Sequence, residues 1–401
     1  MSKIGIYGAG VKGRALLEVI QNNGTQVDFF LDQFIELKEL AGRPIYRLSD
    51  KRVGKDTTIY ISVHDNKTST LHDTQTIRDN LLKLGFTRVI DFVQSVHQFP
   101  EYIKHISTYI TGSWLGYDKS QMINKEKLNA TKQLFNEPKS LELLDLLVNF
   151  RLNLTPETYV SPDQTTQYFP DDIDIFSNID KLRFIDAGAY VGDTISTLLT
   201  FWKHSVECIA AFEPDETNLK QLENTIINMG SNICSIIYPF AVWSKSDILH
   251  FNPSGSAGSL VDKTISGQNS VTMPAVSLDQ TVFTLKPNYI KMDLEGAEKE
   301  ALVGAKRIIK TFSPVLAICV YHKPEDLWEI PLFIHSINKD YDMYLRQHGH
   351  LGIETVLYCI PRDDLIKNSS SRYGGSNHKT DTQNRNVRVH EPPPTCRFQI
   401  S

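Results

Sequence analysis

Two glycine-rich turns constrain this chain more than any other feature. Residues 4–20 and 183–200 each read as a buried strand, a turn built on glycines, and a helix. Each opens its own run of alternating strand and helix patterns, the layout of βαβ units around parallel sheets. A length of 401 residues leaves room for two or three domains of ordinary size. Two α/β domains are the simplest partition, and no solenoid-type repeat competes with it.

The first domain covers residues 1–100. Lys3–Tyr7 predicts a strand, Gly8, Gly10 and Gly13 a tight turn, and the following helix turns Ala15, Leu16, Val19 and Ile20 inward until Asn23-Gly24 stops it. Val27–Leu31 reads as a second strand ending at Asp32, Thr58–Val63 as a third, and Arg88–Phe92 as a further one after a helix that closes at Gly85. Residues 101–180 form a helical connector: Lys139–Leu154 has apolar residues on several faces, and Thr155–Pro170 is a Pro-, Thr- and Gln-rich loop. Residues 181–365 supply five βα units and a closing hairpin, a doubly wound sheet with one antiparallel strand. Residues 366–401 are dominated by Ser, Asn, Gln, Arg and Pro, a composition that buries little and predicts a disordered tail.

Charge narrows the function. Lys plus Arg is 42 and Asp plus Glu is 47, a formal net charge of −5, which speaks against tracking nucleic-acid phosphates over a long surface. No run of 18 apolar residues is present, so no membrane span is expected. The five cysteines, Cys208, Cys234, Cys319, Cys359 and Cys396, form no CxxC pair. That argues against a zinc knuckle and fits a reducing cytoplasm.

The chemistry gathers at predicted strand ends. In FIDAGAYVGDT, a strand ends in Asp186, the glycines Gly188 and Gly192 let backbone approach a ligand, and a helix opens at Asp193 and Thr194, with Tyr190 in the turn. This is a construction for a nucleoside-bearing cofactor at the carboxyl edge of a parallel sheet. The glycines fall as GxxxG, and acids at 186 and 193 would repel a diphosphate. They suit a cation instead, and S-adenosylmethionine carries a sulfonium and an ammonium. Glu213, before Pro214 and Asp215, ends the next strand, where a carboxylate can take both ribose hydroxyls. Ala241 follows the third strand, on the adenine side. A fourth strand delivers Lys291, Asp293 and Glu295, with Glu298 at a helix start. The fifth ends at His322, a general-base candidate because its ordinary pKa lies near neutrality. Asp293 is the second candidate base.

Residues 136–360 resemble the FkbM-type methyltransferases. The matching runs are FIDAGAYVGDT, AFEPD, VSLDQT, YIKMDLEGAEKEAL, PVLAICVYHKPEDLWEIP and ETVLY, with LFNEPKSLELLDLLVNFRL and QYFPDDI as a lead-in. The resemblance implies a class I methyltransferase fold and S-adenosylmethionine-dependent methyl transfer to an oxygen, commonly a hydroxyl of a sugar or secondary metabolite. It implies that the 186–194 loop and Glu213 hold the cofactor and that Asp293 and Glu295 border the reaction centre. Asp293, Glu295 and His322 also have the chemistry to ligate a divalent cation. Arg346 and His348 are candidates to contact the acceptor.

The N-terminal Gly8-x-Gly10-x-x-Gly13 follows a strand, opens a helix and has Asp32 19 residues beyond it, the geometry of a Rossmann-like dinucleotide or nucleotide-sugar pocket. It looks like the small nucleotide-binding domain in front of some sugar-modifying enzymes. The leading expectation is therefore a cytoplasmic O-methyltransferase acting on a sugar-containing acceptor in polysaccharide or glycan synthesis. The alternatives are an NAD(P)-dependent sugar-nucleotide oxidoreductase or epimerase, for which residues 1–100 lack a Tyr-x-x-x-Lys pair, and a non-catalytic nucleotide-binding scaffold. A homo-oligomer stays open.

Overall fold

Both glycine turns need glycine for steric reasons. A Cβ on Gly13 would stand 1.9 Å from the Gly8 carbonyl oxygen, and one on Gly188, whose φ is +82°, would stand 1.9 Å from the carbonyl oxygen of Asp293. The backbone therefore folds back on itself at the first turn and lies against a second strand end at the other. The computed structural model describes residues 3–63, 74–107, 113–177, 179–202, 204–230, 233–251 and 271–362. The tail predicted over 366–401, with Cys396, lies outside them.

The N-terminal part runs β1 (Ile4–Tyr7), α1 (Val11–Asn22), β2 (Phe29–Leu31), β3 (Glu39–Leu40), β4 (Arg43–Tyr46), β5 (Thr58–Ile61), α2 (Thr74–Lys83) and β6 (Arg88–Ile90). Its sheet order is β3-β4-β2-β1-β5-β6, parallel except for β3. The predicted strand over Arg88–Phe92 stops at Ile90. Asp91 and Gln94 form a capping box there, and α3 (Phe92–Gln98) begins at once. α4 (Glu101–Ser107), α5 (Lys125–Lys132) and α6 (Pro138–Asn153) follow. α6 has Pro138 in its first turn and ends on Leu154 in the left-handed region, close to the predicted span.

The second part contains β7 (Lys181–Ala187), α7 (Asp193–Phe201), β8 (Ser205–Phe212), α8 (Glu216–Asn228) and β9 (Cys234–Tyr238). After these come β10 (Ala241–Val242), β11 (Asp247–Phe251), β12 (Val271–Val276), α9 (Leu278–Thr281), β13 (Tyr289–Met292), α10 (Glu298–Val303) and α11 (Lys306–Phe312). β14 (Val315–Cys319), α12 (Asp326–Ile337), β15 (Tyr341–Gln347) and β16 (Thr355–Pro361) complete it. Seven strands form one sheet in the order β15-β16-β14-β13-β7-β8-β9, and only β16 runs antiparallel to its neighbours. This is the class I methyltransferase arrangement that the sequence predicts. β10, β11 and β12 form a small separate sheet that the sequence reading did not anticipate. The chain leaves β7 toward β8 on one side and later returns to β13 on the other, so a topological switch point opens between β7 and β13.

Apolar side chains fill both faces of the large sheet. Met292, Ile318, Leu327 and Trp328 pack on one face, and Phe184, Tyr289, Tyr358 and Tyr168 on the other. A third cluster joins the two parts. It combines Ile6, Leu16 and Phe92 of the N-terminal part with Trp114, with Phe150 of α6, and with Leu351 beyond β15. Trp114 also donates its backbone N–H to the Tyr321 carbonyl (3.0 Å) and its indole N–H to the Leu351 carbonyl (3.1 Å). Among the described residues no helix is long and apolar enough to cross a membrane.

Candidate active site

The site is built at the carboxyl ends of β7, β8, β13 and β14. Register puts Asp186 of β7 beside Lys291 of β13, and the two form a fully buried ion pair at 3.1 Å. Lys291 Nζ also donates to the Gly188 carbonyl at 2.6 Å. The pair fastens the Gly188 loop to the adjacent strand. Burial pushes the Asp186 carboxyl up to about 6 while Lys291 pulls it back, and burial, which alone would lower Lys291, is outweighed by Asp186 and Asp293. Asp186 is wholly buried beneath the loop, and among the described residues its carboxylate oxygens have the Lys291 ion pair and no hydrogen-bond partner.

Glu213 ends β8. Its carboxylate accepts the Tyr190 and Asp215 backbone N–H groups, each at 2.9 Å, and the Asn218 side-chain amide at 3.4 Å. It is only 7% exposed, and burial raises its pKa against those hydrogen bonds. Tyr190, in the left-handed region at φ +49°, aims that N–H and leaves its ring half exposed. Asp215 caps α8 through Thr217 and Asn218. Gly192 precedes Asp193 and Thr194 at the start of α7, Pro214 follows Glu213, and Ala241 lies in β10 beyond the stacked rings of Phe212 and Tyr238 (centroids 4.6 Å apart).

The other half gathers around His322. Its Nδ1 lies 2.9 Å from Glu298, and its Nε2 lies 3.5 Å from both Asp293 and Glu295. Asp293 accepts the Tyr168 hydroxyl (3.0 Å) and the Tyr321 hydroxyl (3.3 Å). Burial alone would lower the His322 pKa, but Glu298, Asp293 and Glu295 outweigh it and push it up to about 10. Burial, Asp293 and Glu298 push Glu295 up to about 8, against the pull of His322. Burial and Glu298 likewise push Asp326, which accepts the Lys323 N–H, up to about 7. Asp293, Glu298 and His322 offer ligand atoms that all lie within 4.8 Å of one another.

A sequence model described as a methyltransferase FkbM domain matches residues 186–351. Residues 186–351 belong to the FkbM methyltransferase family. A crystal structure of methyltransferase FkbM from Methylobacillus flagellatus KT is similar at 23% identity, with a TM-score of 0.53, over 89% of this chain and 90% of that one. That span is more than residues 101–401 can supply, so the shared fold includes the N-terminal part. An rRNA methylase from Streptococcus thermophilus also matches, at 13% identity over 45% of this chain and 87% of that one, but its TM-score of 0.30 is too low to bear on the fold. No curated protein matches the chain.

Several expectations for the FkbM domain change on the structure. Lys291, expected among the catalytic groups, is buried against Asp186 and the Gly188 carbonyl. His322, expected as a general base, lies with Glu298 on its Nδ1 side and Asp293 and Glu295 on its Nε2 side. Arg346 is 1% exposed and spent on Glu137 and Asp172, so it does not reach out to an acceptor. His348 is equally internal: it contacts the Thr165 carbonyl (3.2 Å) and the Tyr358 hydroxyl (2.9 Å). Tyr168 and Tyr321, which both donate to Asp293, had been given no role. Tyr168 comes from the connector loop, and its only signal was its place in the QYFPDDI lead-in. Glu298 had been weighed as a helix-start acid, yet it is fully buried against His322.

In the N-terminal part, Asp32 accepts the Ala9 N–H (2.8 Å) and those of Phe34 and Ile35 (2.8 and 3.0 Å). Burial would raise its pKa, but these bonds lower it. Gly8 and Gly13 form the turn beside it, and Gly10 borders open space. The Ala9–Asp32 bond repeats the Tyr190–Glu213 bond of the FkbM domain.

Proposed function

We propose that this chain transfers the methyl group of S-adenosylmethionine to a hydroxyl oxygen of a sugar-containing acceptor, in polysaccharide or glycan synthesis. The observation that carries this reading is Glu213, a buried carboxylate at the end of β8 tied by backbone hydrogen bonds to Tyr190 and Asp215, a group of the kind that takes a ribose diol. The Gly188 cradle fits the same group, because any Cβ there would fill the space between the loop and Asp293. The cation of the loop, Lys291, is bound to Asp186, so the surface facing a ligand is acidic and suits a sulfonium better than a diphosphate.

S-adenosylmethionine, when bound, supplies a methyl carbon on a good leaving group. Glu213 binds, the Gly188–Thr194 loop orients, and the packed strand ends exclude water. The acceptor hydroxyl must shed its proton as it attacks, and the Asp293 carboxylate stands at the strand end where that proton can go. Tyr168 and Tyr321 fix the Asp293 carboxylate in place.

For the N-terminal part, the repeated acid-to-loop hydrogen bond and the open space at Gly10 support a nucleotide, most simply the nucleotide of a nucleotide-linked sugar. A cleft of about 350 Å³ lined by Lys38, Tyr46, Arg47 and Arg52 opens on β4, the neighbour of β2.

Calorimetry with S-adenosylmethionine, its demethylated product and NAD tests the cofactor, and labelled methyl transfer to a panel of nucleotide sugars and glycans tests the acceptor. Glu213→Ala should weaken cofactor binding roughly tenfold to a hundredfold, the worth of a charge-assisted hydrogen bond of about 1.5–3 kcal/mol. Binding of NAD with no affinity for S-adenosylmethionine would overturn the reading.

A further inference from the structure

We propose that Asp293, Glu295 and His322 together hold a divalent cation, with Glu298 behind the imidazole as its positioning residue, and that the cation takes hydroxyl oxygens of the acceptor as further ligands. The second half of this proposal rests on the methyl-transfer reading; the cation site itself does not.

The donor atoms come from two strand ends. Asp293 and Glu295 follow β13, and His322 follows β14. The Asp293 and Glu295 oxygens each stand 3.5 Å from His322 Nε2, and ligand atoms of Asp293, Glu298 and His322 all lie within 4.8 Å of one another. Ligands bound at about 2.1 Å stand about 3–3.5 Å from their neighbours in a coordination shell. Two carboxylates and one imidazole form a donor set for magnesium or manganese. His322 is 3% exposed, yet among the described residues neither ring nitrogen has a well-directed hydrogen bond and the second carboxylate oxygen of the fully buried Glu298 has no partner. Buried polar atoms in a native fold are normally satisfied, so this ring, aimed at two carboxylates, points to a missing ligand.

The surroundings fit the same ligand. Glu298 lies 2.9 Å from Nδ1, the face away from Asp293 and Glu295, and its own carboxylate is pinned by the Leu294 N–H at 2.7 Å. A carboxylate behind a histidine is how proteins orient a metal-binding imidazole. Tyr168 and Tyr321 anchor Asp293 in the same way. Asp326 adds a further buried acid next to Glu298, so a dication there relieves a concentration of negative charge. An oxygen-rich cation with free positions binds the hydroxyls of a sugar directly.

The test uses Mn²⁺ as the only added metal and the full chain. Loss of the free Mn²⁺ electron-spin resonance signal on titration should show one ion bound per chain. Asp293→Asn and His322→Ala should each weaken binding at least tenfold, and Glu298→Gln by roughly tenfold to a hundredfold. Magnesium should displace the ion. Failure of wild-type protein to bind Mn²⁺ at millimolar concentration overturns the proposal without any variant, and so does equal binding by wild type and all three variants. Calorimetry with S-adenosylmethionine on the same preparations separates the two readings. Cofactor binding without Mn²⁺ binding sinks the cation and leaves methyl transfer standing, and Mn²⁺ binding without cofactor binding sinks the cofactor reading and leaves the site.

Discussion

His348 stands between the Thr165 carbonyl and the Tyr358 hydroxyl, and that hydroxyl in turn accepts the Tyr168 backbone N–H at 2.9 Å. Read as a network, the Nδ1 proton goes to Thr165 and Nε2 accepts from Tyr358. Burial holds the ring neutral and pushes its pKa down to about 4. The unfolded chain takes that proton near the ordinary value of 6.5. Between the two values the unfolded state binds more protons, so stability is complete above about 6.5 and drains away as the pH falls toward 4, by about 3 kcal/mol in all. Urea titrations at pH 7 and pH 4.5 should show this loss in wild type and a smaller one in His348→Gln; an equal loss in both would remove His348 from the acid response. One step along the network, Tyr168→Phe deletes a hydroxyl that holds Asp293. It should lower kcat roughly tenfold to a hundredfold, the worth of a hydrogen bond to a charged group of about 1.5–3 kcal/mol, while cofactor affinity stays put. The place of Glu213 at the end of β8 was readable in the sequence because it follows from a strand-end pattern. Tyr168 was not, since its partner Asp293 is 125 residues away and no local rule joins a connector loop to a distant strand end.

Strand β13 shows how an element carries a role that its residues do not announce. YIKM reads as a strand, and Lys291 at its end reads as chemistry. Only the register beside β7 reveals that Lys291 faces Asp186 inside the sheet. The strands and their order were legible because apolar runs, glycine turns and acids at strand ends repeat the βα grammar. The boundary at Asp91 was lost because a strand and a short capped helix share the same apolar residues there. The β13–β7 pairing makes a sharp forecast. Lys291→Met leaves a carboxylate at full burial without its cation, a change that costs about 3–5 kcal/mol. Thermal unfolding should drop by several degrees, and cofactor affinity should fall with it because the Gly188 carbonyl loses its anchor. Asp186→Asn combined with Lys291→Met should recover much of the stability, since no charge is then stranded. If the double variant is no better than Lys291→Met alone, the pair is not what holds the loop.

At the scale of the whole molecule, the N-terminal part is fused to the FkbM domain through a shared apolar cluster. Phe92, Trp114, Phe150 and Leu351 pack in one continuous core, and the Trp114 N–H reaches the Tyr321 carbonyl, one residue before His322. The chain segment that carries His322 is therefore braced from behind by residues outside the family-matched span of 186–351. Trp114→Ala removes a fully buried ring and should cost about 3–5 kcal/mol. A chain reduced to residues 136–362 loses more: it keeps every residue named around the cofactor and the acidic cluster, but it uncovers Phe150 and Leu351 and removes the brace on Tyr321. Such a fragment should show lower thermal stability, and methyl transfer should suffer more than S-adenosylmethionine binding, because Glu213 and the Gly188 loop lie at the far strands while the Tyr321–His322 turn meets the brace. Calorimetry and labelled methyl transfer on the fragment and the full chain measure the two losses separately. A fragment with undiminished turnover would mean that the N-terminal part is carried along and braces nothing.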